Sequence, residues 1–200
     1  MANFVYLASQ SPRRRQLLEQ LGVRYELLLA EAGEDTEALE LEAKNEAPAA
    51  YVARVTGLKL DAAAARLTQR KMQPAPILCS DTTVALGRTI YGKPVDAQDA
   101  ERMLSELAGR THCVLTAIAV QHGAQRFEAL STSRVSFETM SHTQIRTYVA
   151  TGESTGKAGA YAIQGRMAMH ISRINGSYSG IMGLPLWETT LLLRAAGIEI

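Results

Sequence analysis

The stretch L-A-S-Q-S-P-R-R-R-Q-L-L, residues 7–18, decides how the fold of this chain begins. It follows an apolar run, residues 4–7, which predicts a buried strand. Small polar residues then lead into an amphipathic helix. Ser11 is the expected N-cap, and Pro12 suits the first helical turn, where a missing N–H group costs nothing.

The first turn of this helix carries three arginines, Arg13, Arg14 and Arg15, instead of the acids that a helix N-terminus prefers. Three cations beside the positive end of a helix dipole are unfavourable unless an anion binds there. Free N–H groups, a serine hydroxyl and guanidinium groups together form a phosphate site. The alternative is a solvated basic turn, and this segment alone does not decide between the two.

The composition indicates a globular cytoplasmic protein. The 200 residues, 46% of them hydrophobic, suffice for a substantial core in one larger domain or two small lobes. A formal net charge of +1 provides no overall field for nucleic acid or a membrane. Cys79 and Cys113 lie in apolar runs and are expected to be reduced. No apolar stretch reaches the roughly 18 residues of a membrane helix, and the N-terminus does not resemble a secretory signal.

A carboxylate interrupts an apolar run in the middle of the chain. Residues 77–79 predict a buried strand, which Ser80 and Asp81 are expected to interrupt. A carboxylate beside a buried strand is costly without a partner, so Asp81 is expected to be hydrogen-bonded, metal-bound or catalytic. Gly87 and Arg88 then predict the turn of a hairpin.

Periodicity and turn signals predict the remaining elements. Residues 152–165 are rich in glycine, which permits close approach to a ligand; a flexible connection is the alternative. The predicted elements are strands over 25–30 and 169–174, a hairpin of 113–120 and about 127–137, and helices over 47–67, after Asp96, after Ser141 and over 185–196, with a loop at 175–183.

Several common catalytic motifs are absent from the sequence. Neither the G-x-x-x-x-G-K-[ST] loop nor G-x-G-x-x-G follows the first strand, and the four histidines lack metal-ligand spacing. Oxygen and cation chemistry remains, which suits Mg²⁺ or Mn²⁺ and a polyphosphate. Each candidate is also open to a plainer interpretation as a solvated surface group. The candidates are the acids Glu31, Glu34, Asp35 and Asp81 and the cations Arg13, Arg14, Lys59, Lys93 and Lys157.

Six short motifs follow one another in a fixed order over nearly the whole chain, and together they resemble the Maf-like nucleoside triphosphate pyrophosphatases. The fifth motif resembles the subgroup acting on dTTP and UTP, and not the subgroup that prefers methylated GTP. The motifs are L-A-S-Q-S-P-R-R at 7–14, S-D-T-T-V at 80–84, G-K-P at 92–94, G-R-T-H-C-V-L-T at 109–116, K-A-G-A-Y-A-I-Q-G at 157–165 and G-L-P-L at 183–186.

The resemblance implies a fold and an activity. The implied fold is mixed α/β, with an elongated curved sheet flanked by helices and a central cleft between two lobes, as in inosine triphosphatases. We expect one such domain over residues 1–200. The implied activity is hydrolysis of nucleoside triphosphates, preferably dTTP and UTP, to the monophosphate and pyrophosphate with a divalent metal cation, Mg²⁺ or Mn²⁺. Removal of non-canonical nucleotides, cell-division arrest and a homodimer are further implications.

By motif position, the resemblance also assigns site residues. Asp81 matches the family's proton acceptor and is a predicted metal ligand. The family usually has adjacent acids after the second strand, where this chain has Gly33-Glu34-Asp35. Either Glu34 alone is the second metal ligand, or Glu34 and Asp35 replace the pair after a one-residue slip. The specificity positions are Arg13, Thr82 and Gln164, and the phosphate- and metal-site polar set is Ser9, Arg14, Lys59, Lys93 and Lys157.

Gln164 is the predicted reader of the base. Its amide complements the O4 and N3–H edge of uracil or thymine, provided that its neighbours hold it in one orientation. Two other functions stay open at this point. One is a nucleotide-binding regulator of cell division without catalysis. The other is a nucleic-acid binder using the three arginines, which the near-zero net charge and the missing aromatic stacking motif disfavour.

Overall fold

The computed structural model describes residues 3–31, 34 and 38–200. Within these residues, seven strands form one mixed sheet and six α-helices flank it. The strands are β1 (Val5–Leu7), β2 (Tyr25–Leu27), β3 (Ile77–Leu86), β4 (Thr89–Tyr91), β5 (Thr111–His122), β6 (Gln125–Phe137) and β7 (Ile171–Asn175), and the helices are α1 (Pro12–Gln20), α2 (Pro48–Gln69), α3 (Ala97–Leu107), α4 (His142–Val149), α5 (Tyr178–Met182) and α6 (Leu186–Ala195).

The sheet combines a parallel and an antiparallel part. Its strand order is β2-β1-β3-β5-β6-β7, and β4 pairs with β3. Strands β2, β1 and β3 run parallel, whereas β4, β5, β6 and β7 each pair antiparallel with their neighbours. The predicted mixed α/β fold with helices beside the sheet is therefore confirmed. The predicted hairpin of two long strands is β5 and β6, joined through the turn at Gly123.

Strand β3 has a gap along one edge. Its first residues, Ile77 and Leu78, pair with β1, and its last residues, from Val84, pair with β4. Within the described chain, no strand pairs with residues 79–83 along this edge, although β5 pairs along the other edge from Ile77 to Ala85. Because successive side chains of a strand point to opposite faces, this gap gives both faces of β3 access to one opening.

Hydrophobic side chains form separate clusters toward the two ends of the long strands. At one end, Leu78 and Ile118 pack with residues of α1 and α6. At the other end, Val84 and Val114 pack with residues of α3 and α4. Helix α2 covers the opposite face of β3 and β5. The gap along the edge of β3 lies between the first two of these clusters, and the two predicted lobes stay a prediction.

The predicted caps of two helices are present. The Asp96 side chain accepts a hydrogen bond from the Asp99 backbone N–H at 2.8 Å and so caps α3. Ser141 and Gln144 form a reciprocal capping box at the start of α4. In the part of the chain that is described, no helix is long and apolar enough to cross a bilayer.

Two predicted element boundaries were wrong. Ser80 and Asp81 do not interrupt β3, because backbone pairing with β5 continues through them while their side chains reach the opening. Strand β2 ends at Leu27 and not at residue 30, because arginine side chains bind the carbonyls that follow in place of a neighbouring strand. Arg66 donates to the Leu28 carbonyl at 3.0 Å, and Arg70 donates to the Leu29 carbonyl at 2.9 Å.

Two further differences lie near the C-terminus. Residues 175–183 are not simply a loop, because Ser177 caps the short helix α5 by accepting from the Gly180 N–H at 2.9 Å. Strand β7 begins at Ile171, since a 3₁₀ turn occupies Arg166–His170 before it.

Candidate active site

A cavity of about 460 Å³ opens beside the unpaired edge of β3. The β1–α1 turn, β3, α2, the loop after β4, the segment around residues 156–164 and the end of α5 surround it. Nine of the residues singled out from the sequence line this one cavity. They are Ser9, Arg13, Arg14, Lys59, Asp81, Thr82, Lys93, Lys157 and Gln164.

The β1–α1 turn is held by Ser9. Ser11 occupies the N-cap position of α1, but its side chain makes no capping hydrogen bond, contrary to expectation. Instead, Ser9 Oγ accepts from the Ser11 N–H at 3.2 Å and from Arg14 Nη1 at 3.0 Å. Because both of these contacts use Ser9 as an acceptor, its own O–H proton stays available to an anion in the cavity.

Two arginines of α1 bind the carbonyls at the end of α5. Arg13 Nε donates to the Met182 carbonyl at 3.1 Å, and Arg14 Nε donates to the Gly183 carbonyl at 2.8 Å. Burial lowers the pKa of Arg13, and the neighbouring Arg14 guanidinium lowers it further. Two cations that repel each other at a partly buried site favour an anion between or beside them.

A network of charged groups surrounds Asp81 on the α2 face of β3. Lys59 Nζ donates to Asp81 Oδ1 at 2.5 Å and to Glu40 Oε1 at 2.7 Å. Lys93 Nζ donates to Glu40 Oε2 at 3.1 Å. Burial by itself raises the pKa of Glu40, but the two lysines outweigh burial, and the net shift is downward. Glu40 is therefore a carboxylate at neutral pH.

Glu40 is a site residue that the sequence did not reveal. It ends a 3₁₀ turn, Ala38–Glu40, in an acid-rich run where no spacing distinguishes one acid from another. Glu34, the predicted ligand, instead pairs with Arg66 at 2.5 Å, and that hydrogen bond lowers its pKa to about 2. Glu34 does not line the cavity. Gly33 and Asp35, which entered the same prediction, lie outside the described residues.

The donor set fits a divalent cation that shares its coordination with a substrate. In the described ranges, no group of three or more His, Cys, Asp or Glu side chains gathers into an all-protein metal site. Asp81 and Glu40, however, already direct carboxylate oxygens at one positive group, the ammonium of Lys59. In proteins, Mg²⁺ is usually bound by one or two carboxylates, and phosphate oxygens and water complete its coordination.

The glycine-rich segment, residues 152–165, brings Lys157 and Gln164 into the lining of the same cavity. Lys157 and Arg13 both line the cavity, and the pKa of Lys157 is lowered by burial and further by the Arg13 charge. The Gln164 side chain is exposed, and no group of the described chain holds its amide by a hydrogen bond. The condition for base reading by Gln164 alone, an amide fixed by its neighbours, is not met in this structure.

Thr82 lies on the other face of β3 and belongs to a chain of hydroxyl groups. Its Oγ1 is 3.0 Å from Thr116 Oγ1 on the paired strand β5. Thr116 is fully buried and donates to the Gly180 carbonyl of α5 at 2.7 Å. Arg14 Nη2 is 3.5 Å from Thr82 Oγ1. The sequence marked Thr116 only as the last residue of a motif.

Comparisons with known proteins identify the family of the chain. The family model described as Maf-like protein matches residues 4–196. A protein of Polaromonas sp. strain JS666 named dTTP/UTP pyrophosphatase is 67% identical over 199 residues, covering 100% of this chain and 98% of that protein. One of the same name from Albidiferax ferrireducens is 62% identical over 200 residues, with full coverage of both.

Among solved structures, a nucleoside-triphosphatase / dITP/XTP pyrophosphatase from Mycobacterium abscessus matches with a TM-score of 0.41 and 13% identity, covering 66% of this chain and 73% of that chain. So distant a similarity carries no argument about this site. The family model and the two relatives, by contrast, span essentially the whole chain, which therefore belongs to the Maf-like protein family.

Proposed function

We propose that this chain hydrolyses nucleoside triphosphates to the monophosphate and pyrophosphate, with dTTP and UTP as its preferred substrates. The observation that carries the proposal is one cavity in which a carboxylate, Asp81, lies among an excess of cations. Membership of the Maf-like family and the name of its two relatives, dTTP/UTP pyrophosphatase, support the same activity.

The charges around the cavity suit a triphosphate. Two carboxylates and six cationic side chains line it, and one of the six, Arg66, is neutralised by Glu34 outside the cavity. Five cations against two carboxylates leave an excess of three positive charges. Such an excess attracts a polyanion to a protein whose overall net charge is only +1. The five cations are Arg13, Arg14, Lys59, Lys93 and Lys157.

The roles of the residues follow from their positions. We assign to Asp81 the orientation of the attacking water and the acceptance of its proton, because it is the carboxylate held at the unpaired edge of β3. Attack at the α-phosphorus places negative charge on the departing pyrophosphate. Arg13 and Lys157, which both line the cavity, would stabilise that charge as cationic donors.

We further propose that Asp81 and Glu40 would hold the divalent cation, Mg²⁺ or Mn²⁺, and that Lys59, which contacts both carboxylates in this structure, would then bind the substrate. A bound cation of this kind supplies Lewis-acid stabilisation of phosphoryl oxygens. Glu34 is less suited to the role, because Arg66 occupies its carboxylate outside the cavity.

Hydrolysis of UTP in ¹⁸O-labelled water tests the proposed reaction. With Mg²⁺ or Mn²⁺ present, the products are expected to be UMP and pyrophosphate, with the label in UMP because water attacks the α-phosphorus. Phosphorus NMR and mass spectrometry identify both. Release of orthophosphate and UDP would contradict the proposal, and binding of UTP without turnover would favour the non-catalytic regulator.

A matched pair of variants connects the reaction to the cavity. Asp81→Asn removes the charge with little change of shape, and kcat is expected to fall about 10²- to 10⁴-fold because general-base catalysis contributes that much. Asp61→Asn is the control, since Asp61 is also an acid paired with a cation, Arg126, but lies outside the cavity. Equal kcat values for the two variants would remove Asp81 from the reaction.

The compartment and partners are proposals as well. We propose the cytoplasm as the compartment, because Cys79 and Cys113 are both free thiols. Cys79 is buried, and desolvation raises its pKa to about 12. A nucleoside triphosphate is the proposed partner, and nucleic acid is not. Roles in removing non-canonical nucleotides and in division arrest stay predictions, as does a homodimer, which light scattering in solution would reveal.

A further inference from the structure

The hydroxyl chain beside the cavity has a defined direction. Thr116 has one O–H proton, and the Gly180 carbonyl, at 2.7 Å, can only accept it. The contact between Thr116 Oγ1 and Thr82 Oγ1, at 3.0 Å, therefore uses the proton of Thr82. Its proton thus points away from the cavity, toward β5.

The remaining neighbour of Thr82 agrees with this direction. The Arg14 guanidinium, at 3.5 Å, carries donors only, so Thr82 Oγ1 faces it as an acceptor. Toward the cavity, Thr82 consequently presents its remaining lone pair and no proton. A phosphate oxygen also accepts only, and it is therefore a poor partner for Thr82. A ligand group that donates a hydrogen is required.

We infer that Thr116 sets the base preference of this site by fixing Thr82 as an acceptor for the N3–H group of uracil and thymine. The inference rests on the proposed function. On the pairing edge of uracil and thymine, N3–H is the only donor, between the acceptors O2 and O4. In cytosine, N3 is an acceptor and would face the lone pair of Thr82. The exposed Gln164 amide can rotate to suit either base, whereas the Thr82 hydroxyl already donates its proton to Thr116 Oγ1.

Thr116 acts here as a positioning residue, and Thr116→Val tests it. Valine keeps the shape and removes the acceptor for the Thr82 proton, so the Thr82 hydroxyl is free to turn and donate to cytosine N3. The ratio of kcat/KM for UTP to that for CTP is expected to fall about tenfold or more. The Gly180 carbonyl keeps the Gly183 N–H at 3.0 Å, so α5 retains a hydrogen bond at this point.

Three further variants separate this role from a structural one. Thr116→Ser restores the hydroxyl and is expected to restore the ratio. In a Thr82→Val background, adding Thr116→Val should leave the ratio unchanged, since the group it controls is gone. Thr56→Val is the matched control: Thr56 is also a buried threonine that donates to a carbonyl, that of Val52 at 2.8 Å, but it lies outside the cavity.

Substrate analogues test the same contact without any variant. The wild-type protein is expected to lose about tenfold or more in kcat/KM on N3-methyl-UTP and to keep its activity on 3′-deoxy-UTP. Loss on 3′-deoxy-UTP alone would assign Thr82 to the sugar and overturn the inference. An unchanged UTP:CTP ratio in Thr116→Val, or an equal loss on every nucleotide, would overturn it too. A wild-type protein without a UTP preference would instead refute the proposed function.

Discussion

At the scale of single residues, the candidate site depends on one lysine between two carboxylates. Lys59 contacts both Asp81 and Glu40, and all three side chains are largely withdrawn from solvent. Two carboxylates so placed repel each other, and a cation between them offsets both that repulsion and the loss of hydration. The two lysines beside Glu40 lower its pKa against the effect of burial, so Glu40 is ionised before a substrate arrives.

Variants of Glu40 and Glu34 are expected to differ in the Mg²⁺ concentration that activity requires. Glu40→Gln removes a carboxylate of the cavity, and the Mg²⁺ concentration for half-maximal activity is expected to rise about tenfold or more. Glu34→Gln is expected to leave that concentration unchanged, because its carboxylate serves Arg66. Titrating each variant with Mg²⁺ at saturating UTP gives the comparison. A larger shift in the Glu34 variant would restore the acid predicted from the sequence.

At the scale of elements, the glycine-rich segment is positioned by one close contact. Gly159, in the 3₁₀ turn Ala158–Ala160, has φ +67°, and a Cβ built there would be 2.9 Å from both γ-carbons of Val84 on β3. The Gly159 N–H also donates to the Gly92 carbonyl at 3.0 Å. Lys157 and Gln164 are carried on this segment, so their distance from β3 depends on a residue without a side chain.

Gly159→Ala is therefore expected to raise the KM for UTP severalfold and to destabilise the fold by more than about 1 kcal/mol. Gly152→Ala is the control, because Gly152 has a similar φ of +77° but open space where a Cβ would lie. The difference between the two in KM and in thermal midpoint isolates the Val84 contact from backbone strain. Identical behaviour of the two variants would show that the contact does not matter.

At the scale of the whole molecule, a buried histidine makes stability depend on pH. His112 is 1% exposed, its Nε2 is 2.9 Å from the Tyr161 hydroxyl, and its ring meets Phe137 edge to face at 4.8 Å. Nδ1 has no partner among the described residues. Burial lowers the pKa of His112 from 6.5 to about 4, so the folded protein holds this ring neutral.

Between pH 6.5 and pH 4, the unfolded chain binds a proton at residue 112 that the folded chain does not bind. The free energy of unfolding therefore falls as pH falls through this window, by up to about 3 kcal/mol from this one group. His112→Gln, which does not titrate, is expected to show a correspondingly smaller decline in urea unfolding at pH 6.5, 5.5 and 4.5. His142→Gln, at an exposed position, should decline like the wild type.

The sequence predicted what depends on local patterns. Capping residues and periodicity identified α3 and α4, and the ordered motifs contain eight residues of the cavity, to which the family resemblance added Lys59. Contacts between distant segments carry no such signal. The run around Glu40 has no periodicity, α5 is five residues long in a glycine- and serine-rich stretch, and the Thr82–Thr116 pair depends on strand register. The unpaired edge of β3 could not be predicted either, because it depends on how all the strands of the sheet pair.

The contacts of Arg13 and Arg14 with the Met182 and Gly183 carbonyls join positions 169 residues apart in the chain. Consequently, the two arginines cannot be oriented in this way before residues 182 and 183 have been synthesised. Because synthesis runs from the N-terminus, a nascent chain contains both arginines well before it contains the carbonyls that accept from them. Until then the arginines lack the carbonyls that orient them. We therefore expect a ribosome-bound chain stalled before residue 182 to bind no nucleotide.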